Sequence, residues 1–207
     1  MKEFKYLGLT LTNTLSYAKH INNVALNVSR ITGTLVSMRE ILPIHVLLKL
    51  YNALALPYLN NHLLIWGSAP TSHLSGLNAR VNNLLRMILG VQWLDGRPQL
   101  GTSEMYGMVK LLKLKSLFKY NLFKFLRQLL DGQYSDLYDM LLRPYLRVHS
   151  YETRGGMFRH PDLVSELERR FLPHQMITLY EALPLILLDD SLPQALRRYK
   201  SILLSEQ

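Results

Sequence analysis

Residues 17–38, YAKHINNVALNVSRITGTLVSM, decide the fold. Their large apolar side chains, Tyr17, Ile21, Val24, Val28, Ile31, Leu35 and Met38, recur at alternating steps of four and three. On a helix that spacing draws one apolar stripe down a single face. Lys19, His20, Asn22, Asn23, Asn27, Arg30 and Ser37 fall between and can face water. A stripe of three heptads must pack against something, and the next two helical stretches supply the partners. Ile44, Leu47, Leu48, Tyr51, Leu54 and Ala55 make the apolar face of a second helix, which Pro57 kinks or stops at the preceding residue. Leu74, Leu77, Val81, Leu84 and Ile88 make that of a third, over about 73–89, with Gly90 as its stop. Residues 16–90 therefore read as a helical bundle.

Toward the N-terminal end, residues 4–11, FKYLGLTL, read as a strand. Phe4, Tyr6 and Thr10 alternate against Lys5, Leu7, Leu9 and Leu11. Thr12-Asn13-Thr14 is turn chemistry, and Ser16 is placed to cap the helix. The strand needs a partner, and a hairpin with residues 14–17 would be very short. Its edge therefore reads as the continuation of a sheet that these residues do not carry. Toward the C-terminal end, residues 67–73 and 91–101 are loops and Thr102–Val109 a short helix. A longer helix from Ser116 places Leu117, Phe118, Leu122, Phe125, Leu126, Leu129 and Leu130 on its apolar side and closes at Gly132. Asp136–Arg143 suits one or two turns, and residues 144–160 look extended and irregular. Short helices follow over Pro161–Phe171 and His174–Leu183, and a last one over Leu192–Leu204. The expected class is mainly α, with a short N-terminal strand or hairpin, a helical bundle and a partly irregular helical C-terminal region. The expected divisions are residues 1–15, 16–131 and 132–207, the last packing back on the bundle.

A chain of 207 residues with 48% apolar content can bury a sizeable core. No run approaches the roughly 18 apolar residues that span a bilayer, and MKEFKYLG lacks a secretory apolar run. Without cysteine there is neither a disulfide framework nor a thiolate metal site. An intracellular setting, nucleus or cytoplasm, follows as the expectation. The charge is lopsided. Residues 1–130 hold 15 Lys and Arg against four acids, Glu3, Glu40, Asp95 and Glu104, while residues 131–207 hold 9 against 11. No carboxylate occurs between Glu40 and Asp95. Such a basic segment calls for a polyanionic partner, nucleic acid ahead of a membrane surface.

Metal-assisted catalysis needs two or three carboxylates brought together, and the basic half offers only scattered ones. Asp189-Asp190 stands at a helix start, where negative charge is favoured on electrostatic grounds alone. The seven histidines, His20, His45, His62, His73, His149, His160 and His174, include no i, i+4 pair and suit structural or surface roles. There is no Walker loop, GxSxG or GxGxxG, and Gly155-Gly156 has no helix behind it to cradle phosphate. No catalytic residue, metal, cofactor or small-molecule ligand is expected. The richest constellation is Lys110, Lys113, Lys115, Lys119, Lys124 and Arg127, interleaved with Phe118, Tyr120, Phe123 and Phe125. On a helix from Ser116, Lys119, Phe123 and Arg127, with Lys124 or Tyr120 beside them, share the side opposite the leucines. Cations there can meet phosphates while an aromatic packs on sugar or base; the alternative is an ordinary solvated face. Lys49, Arg80 and Arg86 form a sparser second set.

Taken in order, several segments resemble the region downstream of the polymerase core in non-LTR (LINE, Jockey-type) retrotransposon reverse transcriptases. They are FKYLGLTLTNTLSYAKHI (4–21), ILPIHVLLKLYNALALPYLNNHLLIWGS (41–68), RVNNLLRMILG (80–90), HSYETR (149–154) and TLYEALP (178–184), with the Leu-rich helix at 192–204. The resemblance implies that Tyr6, Leu7 and Gly8 belong to the hairpin that grips the primer terminus. It implies that the helices after it form a thumb over the template–primer duplex, with the later basic helix extending that surface. A glycine in such a strand lets a nucleic-acid backbone come close. His149, Tyr151, Thr153 and Arg154 match a family motif and suit either a buried hydrogen-bonded knot or RNA contact. The palm aspartates that hold two metal ions would lie before Phe4 and are not among these residues. An endonuclease domain and a zinc knuckle are missing likewise, and Thr12 stands where family members often have Asp. The chain is thus expected not to be an enzyme by itself. It is expected to hold RNA or an RNA–DNA duplex, with a palm supplied in cis or in trans and no membrane involved. The rival expectations are a helical protein–protein module with a basic face, and a retroelement remnant without function.

Overall fold

A computed structural model describes residues 3–12, 16–91, 93–94, 97–98, 100–147, 157–160, 170–184 and 186–206. It is mainly helical with a short N-terminal hairpin, as the periodicities imply. The chain divides into two compact units, residues 1–115 and 116–206. The sequence reading put that division at residue 131.

Helix α1 (Ala18–Met38) is the spine of the first unit. Ile21, Val24, Ala25, Val28 and Leu35 are buried along it, while Met38 at the end of the stripe is partly exposed. It packs chiefly against α5 (Thr71–Leu89), which buries Leu77, Val81, Leu84, Leu85 and Ile88. Burying side chains of this size stabilises by roughly 1.5–3 kcal/mol each, which is why the α1–α5 pair organises the unit. Gly90 closes α5 with a left-handed φ of 71°. Its N–H reaches the Met87 carbonyl and that of Val91 the Arg86 carbonyl, a Schellman stop.

The helical rod between these two departs from expectation. Helix α2 (Ile44–Leu50) passes into a π-turn over Tyr51–Ala55 and continues as α3 (Leu56–Asn60). Pro57 therefore neither stops the rod nor ends it at Leu56. A proline ring clashes with the carbonyl four residues back and has no N–H to give. The wider turn ahead of it, with the Leu56 N–H bonded to the Tyr51 carbonyl, accommodates both defects. A single turn, α4 (Leu63–Trp66), then buries Trp66, whose indole N–H donates to the Asn61 carbonyl at 2.8 Å.

Residues 4–11 are not one strand. β1 (Glu3–Tyr6) and β2 (Leu9–Thr12) form an antiparallel hairpin around Leu7-Gly8. Both turn residues have positive φ, 46° and 90°, as in the type I′ turn whose twist suits a two-residue hairpin. Alternation alone could not reveal the reversal. β2 buries Leu9 and Thr10 and packs on α1, whereas β1 is exposed throughout.

A two-residue pair, β3 (Trp93–Leu94) with β4 (Arg97–Pro98), precedes α6 (Thr102–Val109). Gly101 holds the N-cap position of α6, and its N–H donates to Glu104 Oε2 at 2.9 Å. Helix α7 (Leu114–Leu130) leads into the second unit, followed by α8 (Ser135–Leu141) and a 3₁₀ turn at Arg143–Tyr145. An antiparallel bridge joins Leu146 to Phe158. Then come α9 (Leu172–Ala182), the short α10 (Ile186–Asp189) and α11 (Leu192–Ser205). No described helix is long and apolar enough to cross a membrane.

Candidate nucleic-acid interface

The outward faces of α1 and α5 are where charge and shape combine. Along α1 the exposed positions include Lys19, Asn22, Asn23, Arg30, Gly33, Thr34 and Ser37; along α5 they include Ser72, Ser75, Gly76, Ala79, Arg80 and Asn83. Neither helix contains a carboxylate. At their seam Arg80 Nη1 donates to Ser29 Oγ at 2.5 Å, one residue from Arg30. Arg30 Nη1 in turn donates to Asn27 Oδ1 at 3.1 Å. Arg80 is thus tied to α1 across the seam, while Arg30 lies on the exposed side of α1, and each has a neutral partner. Lys19 differs, since it forms an ion pair with Glu3 across the hairpin.

The hairpin turn is presented outward. Tyr6 is 57% and Leu7 76% exposed, and Phe4 and Tyr6 stack with ring centroids 6.4 Å apart. Gly8 occupies the turn, so its positive φ, rather than an approach of a partner's backbone along a strand, explains the residue. The hairpin is fastened below by a buried histidine. The Thr10 N–H donates to His20 Nδ1 at 3.4 Å, and His20 lies edge-on to His62 and tilted against Trp66. Burial, then the neighbouring His62, lowers the His20 pKa from its ordinary value, in keeping with a neutral ring that accepts at Nδ1.

The basic residues singled out in the sequence have different surroundings. Lys49, Lys110, Lys115 and Lys124 are exposed. Arg86 is half-buried and donates to Thr102 Oγ1, and Lys113 donates to Ser103 Oγ. On α7, of Lys119, Phe123 and Arg127, the last two are covered. Phe123 is fully buried with its ring 4.4 Å from that of Tyr199, so it cannot stack on a base. Arg127 is buried as well, donating to the Leu188 and Asp190 carbonyls and pairing with Asp131. Its guanidinium satisfies carbonyls at the end of α10, where positive charge complements the helix dipole. Lys119 lies 3.8 Å from Glu206. At about 100° per residue, Lys124 projects roughly opposite to Lys115. On α7 only Lys115 and Lys124 are exposed, while Tyr120, Asn121 and Gln128 are half-buried.

His149, Tyr151, Thr153 and Arg154 lie outside the described residues. The chain on either side of them is clasped: Arg147 N–H donates to the Met157 carbonyl and Arg159 N–H to the Tyr145 carbonyl. Nearby, two histidines distant in sequence meet, His160 Nδ1 lying 3.4 Å from His174 Nδ1 and His160 Nε2 2.6 Å from Glu181 Oε2. Asp190 is engaged by Arg198. Among the described residues no three His, Cys, Asp or Glu side chains gather as metal ligands would. Sequence reasoning passed over Arg30, which could have been found as the cation on the polar side of the α1 stripe.

No family model matches the chain, and no solved structure matches it. Two curated proteins of Drosophila melanogaster do. An RNA-directed DNA polymerase from the mobile element jockey is 31% identical over 94 residues, 44% of this chain and 10% of that protein. A probable RNA-directed DNA polymerase from transposon X-element is 29% identical over 92 residues, 43% of this chain and 10% of its own length. Part of this chain is related to non-LTR retrotransposon reverse transcriptases. The matched stretch spans about a tenth of each polymerase.

Proposed function

We propose that the chain is a nucleic-acid-holding portion of a reverse transcriptase of this kind, its first unit acting as a thumb against an RNA–DNA or RNA duplex. The observation that carries this is the outward surface of α1 and α5, on which Arg30 and Arg80 are exposed and neither helix contains a carboxylate. Uncompensated like charges on a folded surface fit a polyanion. The small and amide side chains around them, Ser72, Ser75, Ala79, Asn22 and Asn83, allow a phosphate backbone to lie close and hydrogen-bond. Phosphoryl transfer falls to a palm supplied in cis or in trans. The test is filter binding of a mixed-sequence RNA–DNA hybrid by the chain across a salt series. Binding should weaken with salt by about 0.7–0.9 log units per phosphate contact per log unit. An inability to retain any RNA, DNA or hybrid at low salt would overturn the reading.

One observation favours a second reading, a protein-docking module. The outer edge of β1 is unpaired among the described strands and carries the exposed Phe4 and Tyr6, with the exposed Leu7 in the turn beside them. An open edge with apolar side chains is suited to pairing with another sheet. Substitution of Phe4 and Tyr6 by Lys separates the two: protein docking would be lost while binding of the hybrid would persist or strengthen.

A further inference from the structure

Pro57, Tyr58, Asn60 and Asn61 line a groove of about 490 Å³, a volume within the range of small-ligand sites. It adjoins the hairpin turn, since a Cβ on Gly8 would stand 3.7 Å from Asn61 Nδ2. Two of the three non-glycine residues with positive φ among those described flank this junction, Leu7 at 46° and His62 at 56°. The π-turn at Tyr51–Ala55 leads directly into it. Strained backbone and π-turns concentrate at functional sites, and here both converge on one groove. Its floor is firm: Asn61 is anchored through its carbonyl to the Trp66 indole, and Trp66 is fully buried.

We infer that this groove is a nucleoside subsite, which takes the sugar and base of one residue of a bound nucleic-acid strand. The inference rests on the nucleic-acid reading above and adds a contact of a different kind to it. Among the described residues the lining is uncharged, which suits a sugar and base. Tyr58 is 45% exposed and offers a ring face on which a base or ribose can stack. The carboxamide of Asn61 carries both donors and acceptors, which a base edge or ribose hydroxyl can use. Residues 41–94 contain no carboxylate, so the phosphates flanking that nucleoside approach the groove without repulsion.

The two kinds of contact separate by salt. Neutral stacking leaves the slope of log Kd against log salt alone, whereas loss of a phosphate contact lowers it. The experiment measures binding of a fluorescein-labelled RNA–DNA hybrid to the full chain and to Tyr58→Ala, Tyr58→Phe and Asn61→Ala over a salt series. Tyr58→Ala should weaken binding about tenfold at every salt concentration with unchanged slope, Asn61→Ala should do so to a smaller degree, and Tyr58→Phe should retain affinity. If Tyr58→Ala lowers the thermal midpoint, Tyr58→Leu, which keeps bulk without a ring face, is read in its place with the same expectation. Unchanged affinity in the Ala and Leu variants, or a loss accompanied by a shallower slope, overturns the nucleoside subsite and leaves the thumb reading standing. Failure of the unsubstituted chain to bind the hybrid overturns both.

Discussion

Lys110 closes α6 in the left-handed region, with φ 52°, where the equivalent stops of α5 and α7 use Gly90 and Gly132. The hydrogen-bond pattern is the same Schellman arrangement, Lys110 N–H to the Gly107 carbonyl and Leu111 N–H to that of Tyr106. A side chain in that conformation costs about 1–2 kcal/mol that glycine avoids. Lys110→Gly should therefore raise stability by about 1 kcal/mol in a denaturant titration, despite the looser unfolded chain. If the lysine meets phosphate, the same variant binds the hybrid more weakly, and a variant that gains stability with unchanged binding removes Lys110 from the interface. His20 supplies a second residue-scale test. Its folded pKa is lowered beneath 6.5, so on acidification the unfolded chain takes up the proton first. The contribution of neutral His20 is complete above pH 6.5 and declines as pH falls below that value. His20→Asn keeps an acceptor near the Nδ1 position but cannot titrate. Between pH 7.5 and about 5 it should lose less stability than the unsubstituted chain, and equal losses would show that His20 does not carry the acid sensitivity.

At the scale of elements, what the sequence disclosed depended on how local the deciding interaction is. The α1 stripe and the α5 stripe were legible because a helix satisfies its own backbone and needs only one apolar side. The hairpin was hidden because FKYLGLTL alternates across Leu7-Gly8 without the Asn-Gly signature of its turn. Leu7→Asn, which suits positive φ, should accordingly stabilise the hairpin by about 0.5–1 kcal/mol, seen as slower amide exchange of the β1 and β2 residues. The α7 face was misjudged for another reason. Aromatics among lysines read alike whether they meet bases or a core, and only the partner that covers Phe123 and Arg127, from residues 188–199, decides between them. Phe123→Ala should cost about 3–5 kcal/mol by cavity formation, with binding of the hybrid unaffected under conditions where the protein stays folded. Loss of affinity at constant stability would return Phe123 to the interface.

For the molecule as a whole, the charge layout carries more functional information than any motif, because like charges on a folded surface persist only with a counter-charge or at a cost. The first unit exposes Arg30 and Arg80 on two packed helices without carboxylates, whereas the lysines of α7 are dispersed, Lys119 beside Glu206 and Lys115 and Lys124 on opposite sides. These arrangements make different demands on a salt titration. Arg30→Gln with Arg80→Gln removes the two exposed cations of α1 and α5 on which the thumb reading depends. The slope of log Kd against log salt should then fall by about 1.4–1.8 for a duplex, with equal loss on unrelated sequences because phosphates carry no sequence information. Replacing Lys115, Lys119 and Lys124 together removes one more charge, yet should lower the slope by no more than about one contact, because no straight strand can reach both sides of a helix. Binding of a labelled hybrid and of a second hybrid of unrelated sequence, measured at several salt concentrations, decides between them. A larger slope change for the lysines than for the arginines would move the interface off α1 and α5 and onto α7.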